Sequence, residues 1–312
     1  VAGLAGMPRQ RSCGQGMLLR PLLEVARSDL LAYATGRNLL WIDDPSNLDQ
    51  RYERNFLRNA ILPQLYQRWP ALGASVTRTA RLCAEATEML DELAALDLVP
   101  ISTQWRNRLH VPPLLALGKP RQRNLLRYWL NGLYTVLGTA LPNHRLLDAT
   151  VDTLLPAAPD AGPLLGWGSQ AQSSELRRYR DMLYVVRPLP EISRALQWQT
   201  DKPLQLPAPL GQLSLQPCAA PGLPLALVGN LEVRFRSGGE QVKAAGRPTR
   251  LLKKVLQDSG VPPWLRDKIP LLYVENKLVA VADLLITDAW QQNYGDDCCR
   301  IVWQRSDLDC GY

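Results

Sequence analysis

Trp41-Ile42-Asp43-Asp44-Pro45-Ser46-Asn47, followed closely by Arg54-Asn55-Phe56-Leu57-Arg58, is the stretch from which the fold is read. The first part gathers carboxylates, proline, serine and asparagine, a mixture that favours a loop with capping potential over a regular element. The second part lies in a helix whose polarity divides cleanly. At about 100° per residue, Arg51, Arg54, Asn55, Arg58 and Asn59 share one side, and Phe56, Leu57, Ala60 and Ile61 the other, with Leu62 the exception. Pro63 ends or kinks that helix. A carboxylate-bearing loop beside three arginines suits a nucleotide, a pyrophosphate or an RNA backbone, because guanidinium groups bind phosphate through two parallel bonds. The same residues equally describe a capping loop, with Asp44 or Ser46 as the cap, before a solvated amphipathic helix. Both readings stay open on the residues alone.

Working outward, Ser28 is expected to cap a helix that begins with Asp29-Leu30-Leu31 and stops at Gly36. A long helix is predicted from Pro70 to about Asp97, with Leu72, Val76, Ala80, Cys83, Thr87, Leu90 and Ala94 recurring at three- and four-residue steps. Glu85, Glu88, Asp91 and Glu92 form its expected solvated face. Another helix starts at Pro120 with Leu126, Trp129, Leu130 and Leu133 inside, and a shorter one carries Leu147, Val151 and Leu154. The middle thus reads as a helical bundle, closed by strand-like Leu176 to Val186. Prolines then thicken from Pro188 through Pro190, Pro203, Pro207, Pro209, Pro217 and Pro221 to Pro224, marking either a linker or short strands with proline turns.

Beyond them the pattern is α+β. Leu231 to Arg236 alternates like a half-buried strand. Thr249 to Ser259 reads as a helix with Leu251, Leu252, Val255 and Leu256 on its core side and Gly260 at its end. Leu271 to Val274 and Leu278 to Val281 form a hairpin around Glu275-Asn276-Lys277.

The 312 residues, 46% of them hydrophobic, can bury more than one core. A net charge of +7 favours an anionic partner, whether RNA, DNA or an acidic membrane surface. No apolar run is long enough to span a bilayer, and the start has no secretory pattern. The 6 cysteines are scattered and the 2 histidines, His110 and His144, stand apart, so neither a disulfide framework nor a metal site is expected. Reduced thiols in the cytoplasm fit best. Val1 opens on what reads as mid-domain sequence, and the chain is expected to be a fragment.

Residues 232 to 268 hold the densest positive charge. Arg234, Arg236, Lys243, Arg247, Arg250, Lys253, Lys254, Arg266 and Lys268 stand against Glu232, Glu240, Asp258 and Asp267, a net of +5 from nine and four. That segment suits a phosphate backbone, or an ordinary lysine-rich helix exterior. Trp264 within it is more often a core plug than a base-stacking platform. Ser237-Gly238-Gly239-Glu240 looks like a phosphate cradle, yet no convincing helix follows, and a tight turn is the commoner use of such glycines. No Walker motif, nucleophile elbow or paired Cys/His arrangement occurs.

Val1 to Pro8, Arg20-Pro21-Leu22-Leu23, the Asp44-Pro45-Ser46-Asn47 stretch and Arg54 to Arg58 together resemble, in order and spacing, signatures of the tRNA(Ile)-lysidine synthetase family. Gly246 to Tyr273 is similar to that family's C-terminal domain, and Ser237 to Glu240 matches a family turn. The resemblance implies a multi-domain α/β plus α+β fold. Residues 1–62 would be the tail of a PP-loop (adenine nucleotide α-hydrolase-like) catalytic domain, 63–200 a helical substrate-binding domain, and 201–312 a small α+β tRNA-binding domain. It also implies a ligase that uses ATP and magnesium to adenylate the wobble cytidine of tRNA(Ile), after which free L-lysine attacks to give lysidine. Asp44, Asn47, Arg54, Asn55 and Arg58 would edge the active site. Arg234, Arg236, Lys243, Arg247, Lys253, Lys254 and Arg266 would contact the tRNA. The family's glycine-rich ATP loop is not found on this chain, so the site for ATP and magnesium is expected elsewhere, and the piece alone is expected to bind tRNA without modifying it. A non-catalytic RNA-binding module is the competing class, and a homodimer is left open.

Overall fold

A computed structural model describes residues 1–42, 44–137, 141–159, 161–169, 173–189, 192, 195–208, 210–224, 229–291 and 297–305. Asp43, Pro190, Pro209 and Cys310 lie outside the described residues. The chain divides into two compact units, Val1–Leu93 and Ala94–Tyr312.

In the first unit, β1 (Gln10–Cys13) and β2 (Gly16–Leu19) pair as an antiparallel hairpin, and α1 spans Arg27–Gly36. Ala26 is the N-cap, without a side-chain bond; Ser28, expected there, sits inside the first turn, where its hydroxyl bonds the Asp29 carboxylate. The stretch after it behaves as a capped loop. Pro45–Leu48 makes one 3-10 turn, and Asp44 caps it by accepting from the Ser46 backbone N–H at 2.8 Å.

The single helix expected next is broken into α2 (Glu53–Phe56), a wide π turn (Leu57–Ile61) and α3 (Leu62–Arg68). Pro63 is the cause. It lacks an N–H, and its ring collides with the carbonyl four residues back, so the ladder widens and the Leu62 N–H reaches the Leu57 carbonyl. Arg51, assigned by its spacing to the helix face, precedes α2 and pairs with Asp49 at 2.7 Å. Asn55 does not face solvent. It is 1% exposed, and its Nδ2 donates to the carbonyls of Ser46 at 2.8 Å and Asp49 at 3.0 Å. Asn59 donates to the Asn47 carbonyl at 3.2 Å. The polar side of this helix therefore holds the preceding loop in place.

α4 is a helix of 27 residues, Leu72–Leu98. Most of its predicted stripe is partly covered, but Val76 is exposed, and Asp91, expected in solvent, is half-buried.

The second unit begins with β3 (Arg108–His110), α5 (Val111–Leu115), α6 (Lys119–Leu137) and α7 (His144–Ala149), the last continued by a π turn, Thr150–Leu154. Leu126, Trp129, Leu130 and Leu133 of α6 are buried as the periodicity requires, alongside Val151 and Leu154. Arg121 of α6 pairs with buried Asp97, and Lys119 and Arg123 pair with Asp152 and Asp148. The helical middle also carries a four-stranded antiparallel sheet in the order β3-β6-β5-β4, where β4 is Leu164–Trp167, β5 Ser174–Tyr179 and β6 Met182–Val186. β3 and β4 are 3 and 4 residues long, too short to show a period-two pattern; only β5 and β6 are legible.

The proline-rich stretch consists of short strands, not a bare linker: β7 (Leu196–Gln199), β8 (Leu204–Gln205), β9 (Gln212–Cys218) and β10 (Leu223–Pro224). Next come β11 (Asn230–Arg234), β12 (Gln241–Val242), β13 (Arg250–Leu251), α8 (Leu252–Asp258) and α9 (Pro263–Arg266). The chain then forms β14 (Leu271–Val274), β15 (Lys277–Val281), β16 (Leu285–Ile286) and β17 (Cys298–Gln304). Two larger antiparallel sheets result, ordered β16-β15-β14-β11-β7 and β10-β17-β9-β8, and β12 pairs with β13 in a separate two-stranded one. β7 pairs with β11 from Leu196 to Gln199, so the last sheet draws on residues before position 201. Side chains from both sheets and from α8 and α9 share one core.

Two sequence-specified turns recur in the structure. Glu275 and Asn276 both take positive φ between β14 and β15, the two-residue geometry that matches strand twist. α8 ends with Gly260 at φ +77°. There the Gly260 N–H meets the Gln257 carbonyl and the Val261 N–H the Leu256 carbonyl, the paired bonds that satisfy a helix C-terminus. Leu252 and Leu256 are fully buried, but Leu251 is 44% exposed because it belongs to β13, ahead of the helix.

Leu256→Ala should therefore cost about 2–5 kcal/mol in urea unfolding, whereas Leu251→Ala should stay within about 0.5 kcal/mol. Equal costs would show that both leucines lie in the core. Asn55→Ala removes two buried donors and should destabilise the first unit by about 1–3 kcal/mol, whereas Arg54→Ala should be near neutral in the same measurement.

Candidate functional site

The loop and helix of the first unit place their candidates unequally. Asp44 caps the Pro45–Leu48 turn, and the Ser46 backbone N–H bonded to its carboxylate holds its pKa below the usual range. Arg54 is exposed, with its guanidinium 5.9 Å from the Tyr52 ring centroid. Arg58 and Asn47 are exposed as well. Asn55 is buried beneath this surface and supports it. Asp44, Asn47, Arg54 and Arg58 are thus each exposed, on a loop and helix that Asn55 and Asn59 tie together. Charged groups presented this way can bind an anion without first breaking a strong ion pair.

In the second unit, the structure gathers three of the seven predicted tRNA contacts and scatters the rest. Arg236, Lys253 and Arg266 line one open groove of about 460 Å³, with Ser237, Gly238, Pro263 and Asp267. β11 leads into Arg236, α8 presents Lys253, and α9 presents Arg266. Arg236 is held by Asp267 at 2.8 Å and lies 3.4 Å from Glu240. Arg266 donates through Nε to the Val261 carbonyl at 2.9 Å. Among the described residues, Lys253 and its exposed neighbour Lys254 have no carboxylate within ion-pair reach.

The remaining candidates lie elsewhere. Arg234 bonds Glu232 and Asn276 and sits 4.6 Å from the Tyr273 ring centroid. The Glu232 hydrogen bond raises its pKa, with a smaller contribution from Tyr273. Lys243 pairs with Asp288 at 2.9 Å. Arg247 lines a separate recess of about 210 Å³ with Arg250 and Asp258. Spacing in sequence could not separate these groups, because their partners Asn276 and Asp288 come from later in the chain.

Ser237-Gly238-Gly239-Glu240 is a self-contained turn. Glu240 Oε1 accepts from the backbone N–H of Ser237 at 2.6 Å and of Gly238 at 2.9 Å. Burial works against the Glu240 carboxylate, yet these donors and Arg236 outweigh it and keep its pKa low. The N–H groups that a phosphate would need are therefore already occupied. Trp264 is partly buried, its ring edge-on to two tyrosines, which is the core role the sequence favoured. Burial, with Cys218 and Cys298 nearby, pushes the Cys299 thiol to about 11. Cys13, Cys83, Cys218 and Cys299 are free thiols. Among the described residues, no group of three or more His, Cys, Asp or Glu side chains is arranged to hold a metal ion. No described helix is long and apolar enough to cross a membrane.

Three family descriptions match in chain order: a PP-loop domain over residues 1–65, a TilS substrate binding domain over 109–184 and a TilS substrate C-terminal domain over 231–303. The tRNA(Ile)-lysidine synthase of Coxiella burnetii is 39% identical over 295 residues, covering 93% of this chain and 64% of that protein. The protein of the same name from Methylococcus capsulatus is 38% identical, over 90% of this chain and 63% of its own length. That of Yersinia pseudotuberculosis is 37% identical over 320 residues, 97% of this chain and 69% of that protein. The chain thus spans about two thirds of these relatives. A solved structure, "Crystal structure of TILS C-terminal domain", is 17% identical with a TM-score of 0.27, covering 35% of this chain and 93% of that one. With three family domains in order and more than a third of residues shared with these relatives, the chain belongs to the tRNA(Ile)-lysidine synthase family.

Proposed function

We propose that the full-length protein joins L-lysine to the wobble cytidine of the CAU-anticodon tRNA(Ile), forming lysidine through an ATP-derived adenylated intermediate in the cytoplasm. Relatives at 37–39% identity carry the name of that activity. The observation that most directly supports an RNA substrate is the convergence of Arg236, Lys253 and Arg266 on one groove. Three cations from separate elements facing one open space suit a phosphate backbone better than isolated surface charges do.

The proposed division of labour assigns residues 1–62 to the edge of the catalytic domain, 63–200 to substrate binding and 201–312 to tRNA gripping. Asp44, Asn47, Arg54 and Arg58 would face ATP or the anticodon loop, with Arg54 and Arg58 neutralising phosphate charge. Asn55 acts on that surface through the loop it holds. Binding of ATP and magnesium is proposed to fall mainly outside this chain, since its Ser237 to Glu240 turn is closed on itself. The 312-residue chain alone is accordingly expected to bind tRNA without modifying it; lysidine formation from this chain, ATP and labelled lysine would overturn that part. A non-catalytic RNA-binding module is the alternative, and inactivity of the full-length protein despite tight tRNA binding would favour it.

Two measurements test the assignment. Affinity for tRNA should fall steeply with salt, and Lys253→Ala should weaken binding across RNA sequences and reduce the salt slope by about one. Lys243→Ala, tied to Asp288 away from the groove, should leave the slope unchanged; a flat salt response in the wild type would remove the backbone-grip picture. In the full-length enzyme, Arg54→Ala and Arg58→Ala should each lower turnover by about tenfold or more, as expected for a lost charge-assisted bond, while the melting temperature moves little. Unfolding by either substitution would make that arginine structural.

A further inference from the structure

Met182-Leu183-Tyr184-Val185-Val186 contains no charged residue, and the structure shows why. Alternate residues of a strand point to opposite faces. Leu183 and Val185 lie in the core built with α6 and α7, while Tyr184 and Val186, with Tyr179 and partly buried Met182, belong to the core of the two C-terminal sheets. One sheet is the wall of both cores.

The C-terminal side of that wall is fastened by a specific cluster. Trp264 on α9 stands edge-on to Tyr179, with ring centroids 6.2 Å apart at 82°, and to Tyr184 at 5.3 Å and 76°. The Arg177 guanidinium is 5.2 Å from the Trp264 ring centroid. Arg266 donates to the Tyr179 hydroxyl at 3.1 Å. Arg180 donates to the Gln257 carbonyl at 2.7 Å, near the end of α8. The helices that bring Lys253 and Arg266 to the groove are thereby joined to the β5–β6 hairpin, at the far end of the substrate-binding stretch.

We propose that this joint makes the groove and the β5–β6 sheet one rigid body, with Trp264 as its positioning residue, so that one tRNA is engaged at two surfaces a fixed distance apart. The inference rests on the tRNA reading above. Two contacts held rigidly reinforce each other only while their spacing matches the ligand, and a loosened joint loses the reinforcement without touching either contact.

The test uses the full-length protein with Trp264→Leu, Trp264→Phe and Arg180→Ala. Binding is measured to whole tRNA and to a short RNA duplex that can reach only the groove, and hydrogen exchange is followed in 174–186 and 252–266. In the wild type the two segments should open together. Trp264→Leu should decouple them and weaken whole tRNA about tenfold or more while changing the duplex less than about twofold. Trp264→Phe, which keeps an edge-on ring, should restore most of the difference. If Trp264→Leu does not fold, Arg180→Ala, which removes the bond to Gln257 and a guanidinium 5.3 Å from the Tyr179 ring centroid but leaves the Trp264 ring in place, should give the same pattern more weakly. Equal losses on both RNAs, or no loss on either, would overturn the proposal, as would independent opening of the two segments in the wild type. Failure of the wild type to bind tRNA would instead overturn the tRNA reading, with the exchange measurement still deciding whether the joint is rigid.

Discussion

A strand buried on both faces cannot afford a polar side, and β6 is where that constraint governs this chain. Leu183 and Val185 close the core around α6 and α7, and Tyr184 and Val186 close the core beneath α8 and α9. Neither core is complete without the shared sheet. Substituting a polar residue anywhere in the run would leave an unpaired group in one of two interiors. The arrangement also explains why Arg177 and Arg266, both charged, settle at the rim: each keeps its head on an aromatic face or a tyrosine hydroxyl, where a cation is stabilised without full desolvation.

The first unit is organised on a different principle. Among its described residues Asn55 alone is buried, while Leu40, Ile42, Phe56 and Leu57 are exposed. Its local order around positions 44 to 59 comes from hydrogen bonds: Asp44 to the Ser46 N–H, and Asn55 and Asn59 to three loop carbonyls. A buried amide that satisfies carbonyls fixes the loop's shape more tightly than apolar packing of the same size, because each bond is directional. The exposed arginines beside it inherit that fixed position.

Much of this was legible in the sequence where the signal is local. The α6 stripe, the Glu275-Asn276 turn and the Gly260 stop follow from spacing and from the backbone freedom of particular residues. Legibility failed where a distant partner decides. Asn55 reads as polar and therefore exposed, and only the returning loop shows that it is enclosed. Leu251 falls on the core side of a helical pattern, but β12 captures it as a strand residue. The π turn lies between, since Pro63 announced a disruption without stating its form. β3 and β4 were invisible because a strand of 3 or 4 residues carries too few alternations to stand out.

The charge of the C-terminal region follows the same logic. Its net positive balance says that an anion is welcome, but not where. Arg234 and Lys243 are engaged by Glu232 and Asp288, so a phosphate approaching them must displace a neighbour already in place. Arg236 is intermediate: its side chain is only 14% exposed, and Asp267 and Glu240 hold it, which fixes its direction at the edge of the groove. Lys253 can turn toward a ligand at little cost beyond its own side-chain entropy, of roughly 2 kcal/mol at most. The groove therefore combines one mobile cation with two oriented guanidinium groups. That combination tolerates variation in the approaching backbone while keeping its track fixed, as recognition of an RNA by its phosphates requires.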